Sequence, residues 1–124
     1  MRREDKSVIA GKSLNFAVRI VKLYKYLCED KKEFVLSKQV LRSGTSVGAN
    51  IREAEHSESK ADFVHKMAIA QKEINETIYW LELMQETEYI SKQEFESINI
   101  DAVEIIKMIT SSIKTAKSNL TTNH

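Results

Sequence analysis

Apolar residues recur at alternating intervals of three and four along most of this chain, which is the period of an amphipathic helix. One run predicts a helix over about residues 92–118, and Ser91 with Glu94 forms a capping box at its start. Another run predicts a helix over about residues 60–88. The two apolar seams consist of Phe95, Ile98, Ala102, Ile105, Ile109, Ile113, Ala116 and Leu120, and of Phe63, Met67, Ala70, Ile74, Thr77, Leu81 and Met84.

The segment LRSGTSVGANIREAE, residues 41–55, keeps this period although it holds two of the three glycines. An apolar stripe runs beside a stripe of small polar groups, which predicts a helix over about residues 37–56. A phosphate-binding loop is disfavoured, because no strand precedes the segment and no G-K-[ST] ending follows it. Each glycine costs a helix roughly 1 kcal/mol relative to alanine. We therefore expect Gly44 and Gly48 to lie where a neighbouring helix packs closely.

The complete pattern comprises four helices, over about residues 6–30, 37–56, 60–88 and 92–118. The chain has no proline, which agrees with long, uninterrupted helices. The connections are short, and short connections make consecutive helices antiparallel neighbours. We therefore predict an all-α fold, an antiparallel up-down-up-down four-helix bundle that forms a single domain over residues 1–124.

The first helix carries more apolar surface than one bundle core needs. At about 100° per residue its apolar side chains cover an arc of about 220°, whereas a core-facing helix needs roughly 100–140°. We expect copies of the same chain to cover the surplus, so that the protein is a homo-oligomer. The alternative is a monomer with scattered exposed apolar groups, which are common. The arc contains Leu14, Phe16, Ala17, Val18, Ile20, Val21, Leu23, Tyr24, Leu27 and Cys28.

The composition of the chain restricts the cellular compartment and the class of partner that we expect. The single cysteine, Cys28, forms no internal disulfide and fits a reducing compartment. No apolar run approaches the roughly 18 residues that span a bilayer, and no signal-peptide pattern is present, so we expect a cytoplasmic protein without membrane association. The net charge of +1 is a smaller basic excess than dedicated nucleic-acid binders carry.

Basic residues are concentrated near the start of the chain. Lys12, Arg19 and Lys22 lie within about 80° of one face of the first helix. Together with Arg2 and Arg3 as an N-terminal basic arm, they are candidates for contact with nucleic-acid phosphates. In a ring of subunits this basic face repeats, and weak contacts gain by avidity. The alternative is an ordinary solvated surface.

A second set of polar residues connects the middle helices. If these helices fold back about residue 58, Arg42 and Ser43 meet Glu73 or Glu76. A carboxylate near a bundle core needs a partner, because an unpaired buried charge is costly. We therefore predict a structural polar network of Arg42, Ser43, Asn50 and Glu73 that fixes the register of the two helices. A catalytic carboxylate pair is the alternative.

Two spacings raise the question of a metal site. Glu53-x-x-His56 and Asp62-x-x-His65 resemble the Glu-x-x-His motifs of di-iron bundles. The matching carboxylates are absent from the apolar seams of the first and fourth helices, so we predict no metal and no cofactor. The sequence has three histidines, and their positions do not identify a Ser/His/Asp catalytic triad. We therefore expect a protein that is not an enzyme.

The middle of the chain also carries a combination of residues that points to a known family. Leu41-Arg42-Ser43, Ser46-Val47, Asn50-Ile51 and Glu53-Ala54 are followed by Phe63, Met67, Ala70, Glu73, Glu76, Trp80 and Leu81. This combination resembles the signature of the 23S rRNA intervening-sequence protein family over about residues 8–118. Three positions depart from the common pattern: many relatives have Arg in place of Leu41, Pro in place of Gly48 and Gly in place of Ala54.

The resemblance implies a bacterial four-helix bundle that assembles as a ring-shaped homopentamer. Some relatives are encoded in inserts that interrupt 23S rRNA genes, and others resemble the accessory variability protein of diversity-generating retroelements, which partners a reverse transcriptase and binds nucleic acid. We expect a non-enzymatic homo-oligomer that binds RNA or DNA weakly through the repeated basic face. The alternative is a protein-binding scaffold or accessory subunit, for example to a reverse transcriptase, without direct nucleic-acid contact.

Overall fold

A computed structural model describes the backbone of residues 3–122 and the side chains of residues 8–119. It contains four helices, α1 (Arg3–Glu29), α2 (Leu36–Glu55), α3 (Lys60–Glu86) and α4 (Lys92–Thr122). The predicted all-α fold is therefore confirmed, with helix ends that differ from the predicted ones by at most four residues. The largest difference is at the end of α4, where neither proline nor glycine is present to terminate the helix.

The four helices form a closed bundle. α1 packs on α2, α2 on α3 and α3 on α4, and α4 returns to contact α1. The α1–α4 contact is the least extensive of the four. It is also the one contact between neighbours that no short connection enforces, because α1 and α4 lie at opposite ends of the described chain.

The core consists of the apolar seams that the sequence pattern predicts. Within the described residues every helix contributes side chains that are almost completely buried. Full burial of an aliphatic or aromatic side chain stabilises the folded state by about 1.5–3 kcal/mol, so these seams hold the bundle together. The largest buried side chains are Ile9, Phe16, Ile20, Leu27, Val40, Ile51, Met67, Ile74, Leu81, Met84, Ile105 and Ile109.

Side-chain caps fix the starts of α3 and α4. The backbone N–H of Ser91 donates to the Glu94 carboxylate at 2.9 Å, and the backbone N–H of Glu94 donates to the Ser91 hydroxyl at 3.0 Å. This reciprocal pair confirms the predicted capping box. At the start of α3 the Ser59 hydroxyl accepts a hydrogen bond of 3.0 Å from the Asp62 N–H.

The start of α2 is fixed by Glu33, a residue that the sequence pattern did not single out. Its carboxylate accepts hydrogen bonds from the backbone N–H groups of Val35, Leu36 and Ser37 at 3.0, 2.9 and 2.7 Å. Burial raises the pKa of Glu33, but these three hydrogen bonds and one from the Ser37 side chain together outweigh it and leave the pKa below its ordinary value. Lys32, the residue before Glu33, has a left-handed backbone conformation with φ 54°.

Within residues 3–122, no helix combines the length and the apolar character that a membrane span requires.

Candidate functional site

The predicted basic face of α1 lies along α4, where it meets acidic side chains. The Lys12 Nζ lies 2.6 Å from the Glu104 carboxylate, and the Arg19 Nη1 lies 2.8 Å from the Asp101 carboxylate. Arg19 also donates to the carbonyl and hydroxyl oxygens of Ser97, at 3.2 and 2.9 Å. Lys12 and Arg19, two of the candidates for nucleic-acid binding, are therefore already paired with carboxylates of the same chain.

The remaining candidates differ in how they are placed. Lys22 is exposed and forms no ion pair with any residue whose side chain is described. Arg2 lies outside the described residues, and the side chain of Arg3 is not described. In the described part of the chain, Lys22 is thus the one predicted candidate whose charge has no acidic partner.

A groove lies between α1 and α4 beside these cations, and we call it the α1–α4 groove. It has a volume of about 460 Å³. Aliphatic side chains form its floor, while charged and polar side chains stand on its two walls. The lining residues are Arg19, Lys22, Leu23, Tyr26, Ile90, Gln93, Glu94, Ser97 and Ile98.

The two glycines of α2 occupy different environments. Gly44 is buried, and a Cβ atom added there would lie 2.7 Å from the Ile20 side chain of α1. A Cβ atom on Gly48 would lie 3.4 Å from the Ser13 hydroxyl, close to ordinary contact. Packing on α1 is thus tightest at Gly44, where an added side chain would clash, whereas Gly48 meets the backbone of Ser13 at ordinary van der Waals distance and also borders a second groove.

This second groove, the α1–α2 groove, has a volume of about 360 Å³. Small side chains dominate it, and large apolar ones stand at its edge. Leu14 and Val18 of α1 are 53% and 44% exposed. The groove is lined by Ala10, Ser13, Leu14, Ala17, Thr45, Gly48, Ala49, Arg52 and Glu53.

The predicted polar network between α2 and α3 has two layers. On the outside, the Arg42 guanidinium donates to Glu73 at 3.2 Å and also to Glu76. Beneath it, the buried hydroxyls of Ser43 and Thr77 are joined by a hydrogen bond of 2.8 Å in which Thr77 donates. The glutamates are thus held by an arginine in a structural arrangement that ties the two helices together.

Asn50 does not join this network. Its side-chain amide donates to the backbone carbonyl of Ser46, one turn earlier in α2, at 2.9 Å. A carbonyl four residues earlier lies within reach of a short polar side chain on the same helix, so the amide is satisfied locally. The prediction that included Asn50 is corrected accordingly.

The described histidines, His56 and His65, and Cys28 form no metal cluster. His56 is exposed, with its Nδ1 3.0 Å from the Arg52 carbonyl, and His65 is also exposed. Among the described residues no three His, Cys, Asp or Glu side chains are arranged to hold a metal ion. The Cys28 Sγ, half-buried, lies 3.7 Å from the Ser37 hydroxyl.

Comparison with known proteins identifies the family of this chain. The family described as 23S rRNA-intervening sequence protein matches residues 5–111, most of the chain. The chain belongs to this 23S rRNA-intervening sequence protein family. A similar structure is the 1.70 Å crystal structure of a protein with unknown function from the S23 ribosomal protein family of Bacteroides thetaiotaomicron VPI-5482. It is 61% identical, covers 89% of this chain and 98% of its own, and superposes with a TM-score of 0.87. No curated protein matches the chain significantly.

Membership of the 23S rRNA-intervening sequence protein family confirms the resemblance predicted from the sequence. Family resemblance did not indicate the acidic partners of the basic face, Asp101 and Glu104. A signal for them was present, since they are three residues apart on one face of α4. Their partners Lys12 and Arg19 follow the same face of α1, but chain order alone does not say that the first and last helices meet.

Proposed function

We propose that the protein is a non-catalytic scaffold that assembles with copies of itself through the outer surface of α1 and the α1–α2 groove. The observation that carries this proposal is the position of Leu14 and Val18. Both apolar side chains are about half exposed; Leu14 lines a groove of mostly small residues, and Val18 lies one turn further along α1. A neighbouring subunit that inserts its own side chains there would remove this apolar surface from water.

Two further features support a scaffold without catalysis. Glu73 and Glu76 share the Arg42 guanidinium, an arrangement in which both carboxylates serve to join α2 to α3. The family and the similar Bacteroides protein carry no enzymatic description. The assembly that the family resemblance implies is a homopentamer, and an apolar band repeated on identical subunits is compatible with a closed ring.

Sedimentation of the purified chain tests the proposal. We expect a species whose mass is a multiple of the 14.3 kDa chain mass, five times that mass for the homopentamer. A double variant, Leu14→Glu with Val18→Glu, should dissociate the assembly, because it places charges in an apolar contact. The matched control is Ile100→Glu, which changes a 68% exposed isoleucine on α4 and should leave the assembly intact. Wild-type protein that sediments as a single chain at micromolar concentration would refute the proposal.

A second candidate function is weak RNA or DNA binding through the repeated basic face. Lys22 supports it, since its charge is exposed and has no acidic partner among the described side chains. The ion pairs of Lys12 and Arg19 weigh against it, since phosphate would have to displace Glu104 and Asp101. The scaffold is therefore the better supported of the two functions.

Fluorescence anisotropy with a labelled 20-nucleotide RNA tests this second candidate. Binding through phosphates should weaken steeply between roughly 50 and 200 mM salt, and Lys22→Glu should weaken it further. The control Lys72→Glu makes the same change at an exposed lysine of α3, away from α1. Absence of binding at the lower salt concentration, or equal effects of the two variants, would exclude the basic face as the binding surface.

A further inference from the structure

The α1–α4 groove is separate from the α1–α2 groove, so a subunit seated in the α1–α2 groove does not itself fill it. α2 and α4 flank α1 on different sides, and the two grooves share no lining residue. We propose that the α1–α4 groove docks an amphipathic helix of a partner protein that carries an acidic side chain beside its apolar face. This inference rests on the scaffold function proposed above and names the chemical class of the scaffold's partner.

The floor of the groove suits aliphatic side chains. Leu23 is half-buried, and Ile90 and Ile98 are each 5% exposed, so their edges form an apolar surface below the rim. Tyr26 closes the groove at the end where α1 approaches the α3–α4 connection. Arg19 and Tyr26 are seven residues apart, which is about 10 Å or two turns along α1. A helix that presents apolar residues at i, i+4 and i+7 fits a floor of this length.

The α1 wall selects an acidic side chain. Lys22 offers an ammonium group that has no acidic partner among the described side chains, and Arg19 stands one turn away on the same wall. Three hydrogen bonds, to Ser97 and Asp101, hold the Arg19 guanidinium in place. A guanidinium has five N–H donors, so two remain for a partner. A fixed guanidinium with free donors is well suited to bind a carboxylate.

The α4 wall differs in charge and gives the docked helix an orientation. It presents Gln93, Ser97 and Glu94, and the Glu94 carboxylate is engaged as the cap of α4. An acidic residue on this side of the partner would face Glu94, which is unfavourable. The partner helix should therefore carry its acidic side chain on the flank that faces α1 and neutral polar side chains on the other flank.

A displayed library of random 16-residue peptides tests the proposal with the full-length protein as the target. Selected peptides should combine Asp or Glu with Leu, Ile or Phe three or four residues away. They should bind Lys22→Glu about tenfold more weakly than wild type, the size expected for one charge pair in an interface. When the Lys22→Glu variant is used as the target, the selected peptides should carry Lys or Arg at the position of the acidic residue, because the charge on the wall is reversed.

Matched measurements keep the test specific to this groove. Lys72→Glu carries the same charge reversal on an exposed site of α3 and should bind the selected peptides like wild type. In the amide NMR spectrum of the protein, the best peptide should shift resonances in residues 19–26 and 90–98. Circular dichroism of each variant confirms that it is folded.

Several outcomes would overturn the proposal. No peptide enrichment, peptides that bind Lys22→Glu as well as wild type, or shifts centred on residues 10–17 and 45–53 would each do so. Dissociation of the assembly by Lys22→Glu would mean that a second copy of the chain occupies the groove. These results leave the scaffold function standing, because that function is tested separately by the sedimentation of Leu14→Glu with Val18→Glu.

Discussion

The small-residue face of α2, which consists of Ser43, Gly44 and Gly48, and the α1–α4 contact show two ways in which helices of one bundle can meet. On α2, missing or short side chains let the Ile20 side chain approach closely and leave a buried hydroxyl pair with Thr77. Between α1 and α4 the polar contacts are ion pairs of half-exposed side chains, beside an open groove that Arg19 helps to line. The close packing on α2 stabilises the folded protein, whereas the α1–α4 contact leaves a surface that a partner can bind.

The largest effect is expected where packing is closest, at Gly44. Gly44→Leu should lower the free energy of unfolding by about 1–3 kcal/mol, because even a Cβ atom there would lie 2.7 Å from Ile20. Urea denaturation measures the change. The control is Gly11→Ala, where nothing lies within 4 Å of the added Cβ, and where the change should stabilise the helix by about 1 kcal/mol. Equal effects of the two substitutions would contradict the difference in packing.

The buried hydroxyl pair should give the next largest effect. Thr77→Val leaves the Ser43 hydroxyl buried without its partner, which should cost about 1–2 kcal/mol. Adding Ser43→Ala should recover part of this loss, because no polar group is then left unsatisfied. A double-mutant cycle by urea denaturation measures the coupling. Strictly additive losses would mean that the two hydroxyls do not interact.

Glu33, which anchors the start of α2, should show a pH-dependent effect. Glu33→Gln should destabilise the protein by about 1 kcal/mol at neutral pH, the size of a lost helix cap. The folded-state pKa of Glu33 lies below its ordinary value of 4.5, so the carboxylate stabilises the fold above that pH and loses this contribution as the pH falls through the folded-state pKa. Thermal melts of both proteins from pH 7 to pH 3 should therefore converge on the acidic side. A difference that grows at low pH would reverse the assigned sign.

The smallest effects are expected at the α1–α4 contact. Lys12→Met and Arg19→Met should each change the free energy of unfolding by about 0.2–1 kcal/mol, as is usual for exposed ion pairs. Both pairs have side chains that are about 40–50% exposed. Urea denaturation at low and high salt measures the change, which should shrink as salt rises. A loss of unfolding free energy as large as that of Gly44→Leu would show that the α1–α4 contact contributes as much to stability as the close packing on α2.

The fold could be predicted well from the sequence because the helices of the bundle depend on local patterns of residues. The spacing of apolar residues in α3 and α4 and the Ser91–Glu94 cap depend on neighbours within a few turns, and the structure contains them as expected. The pairing of Arg42 with Glu73 also followed from folding α2 back on α3 across a short connection. Local periodicity and short connections are thus sufficient for this part of the molecule.

The candidate surfaces were harder to predict because they depend on which distant residues meet. The basic face was identified without Asp101 and Glu104, whose proximity follows only from closure of the bundle. Glu33 was missed because its hydrogen bonds to three backbone N–H groups depend on the path of the connection before α2, which apolar spacing does not describe. Gly44 and Gly48 were both assigned to close packing on α1, but only the position of that helix shows that a Cβ atom would clash at Gly44 and fit at Gly48.

The distance along the chain between Arg19 and Asp101, 82 residues, has a consequence for the order of folding. The other three helix pairs are joined by short connections, so they can form with little loss of chain entropy, whereas joining the first helix to the last requires most of the polypeptide to be in place. This contact should therefore form last and separate first. Hydrogen exchange should report it as the joint along which the folded protein opens before it unfolds as a whole.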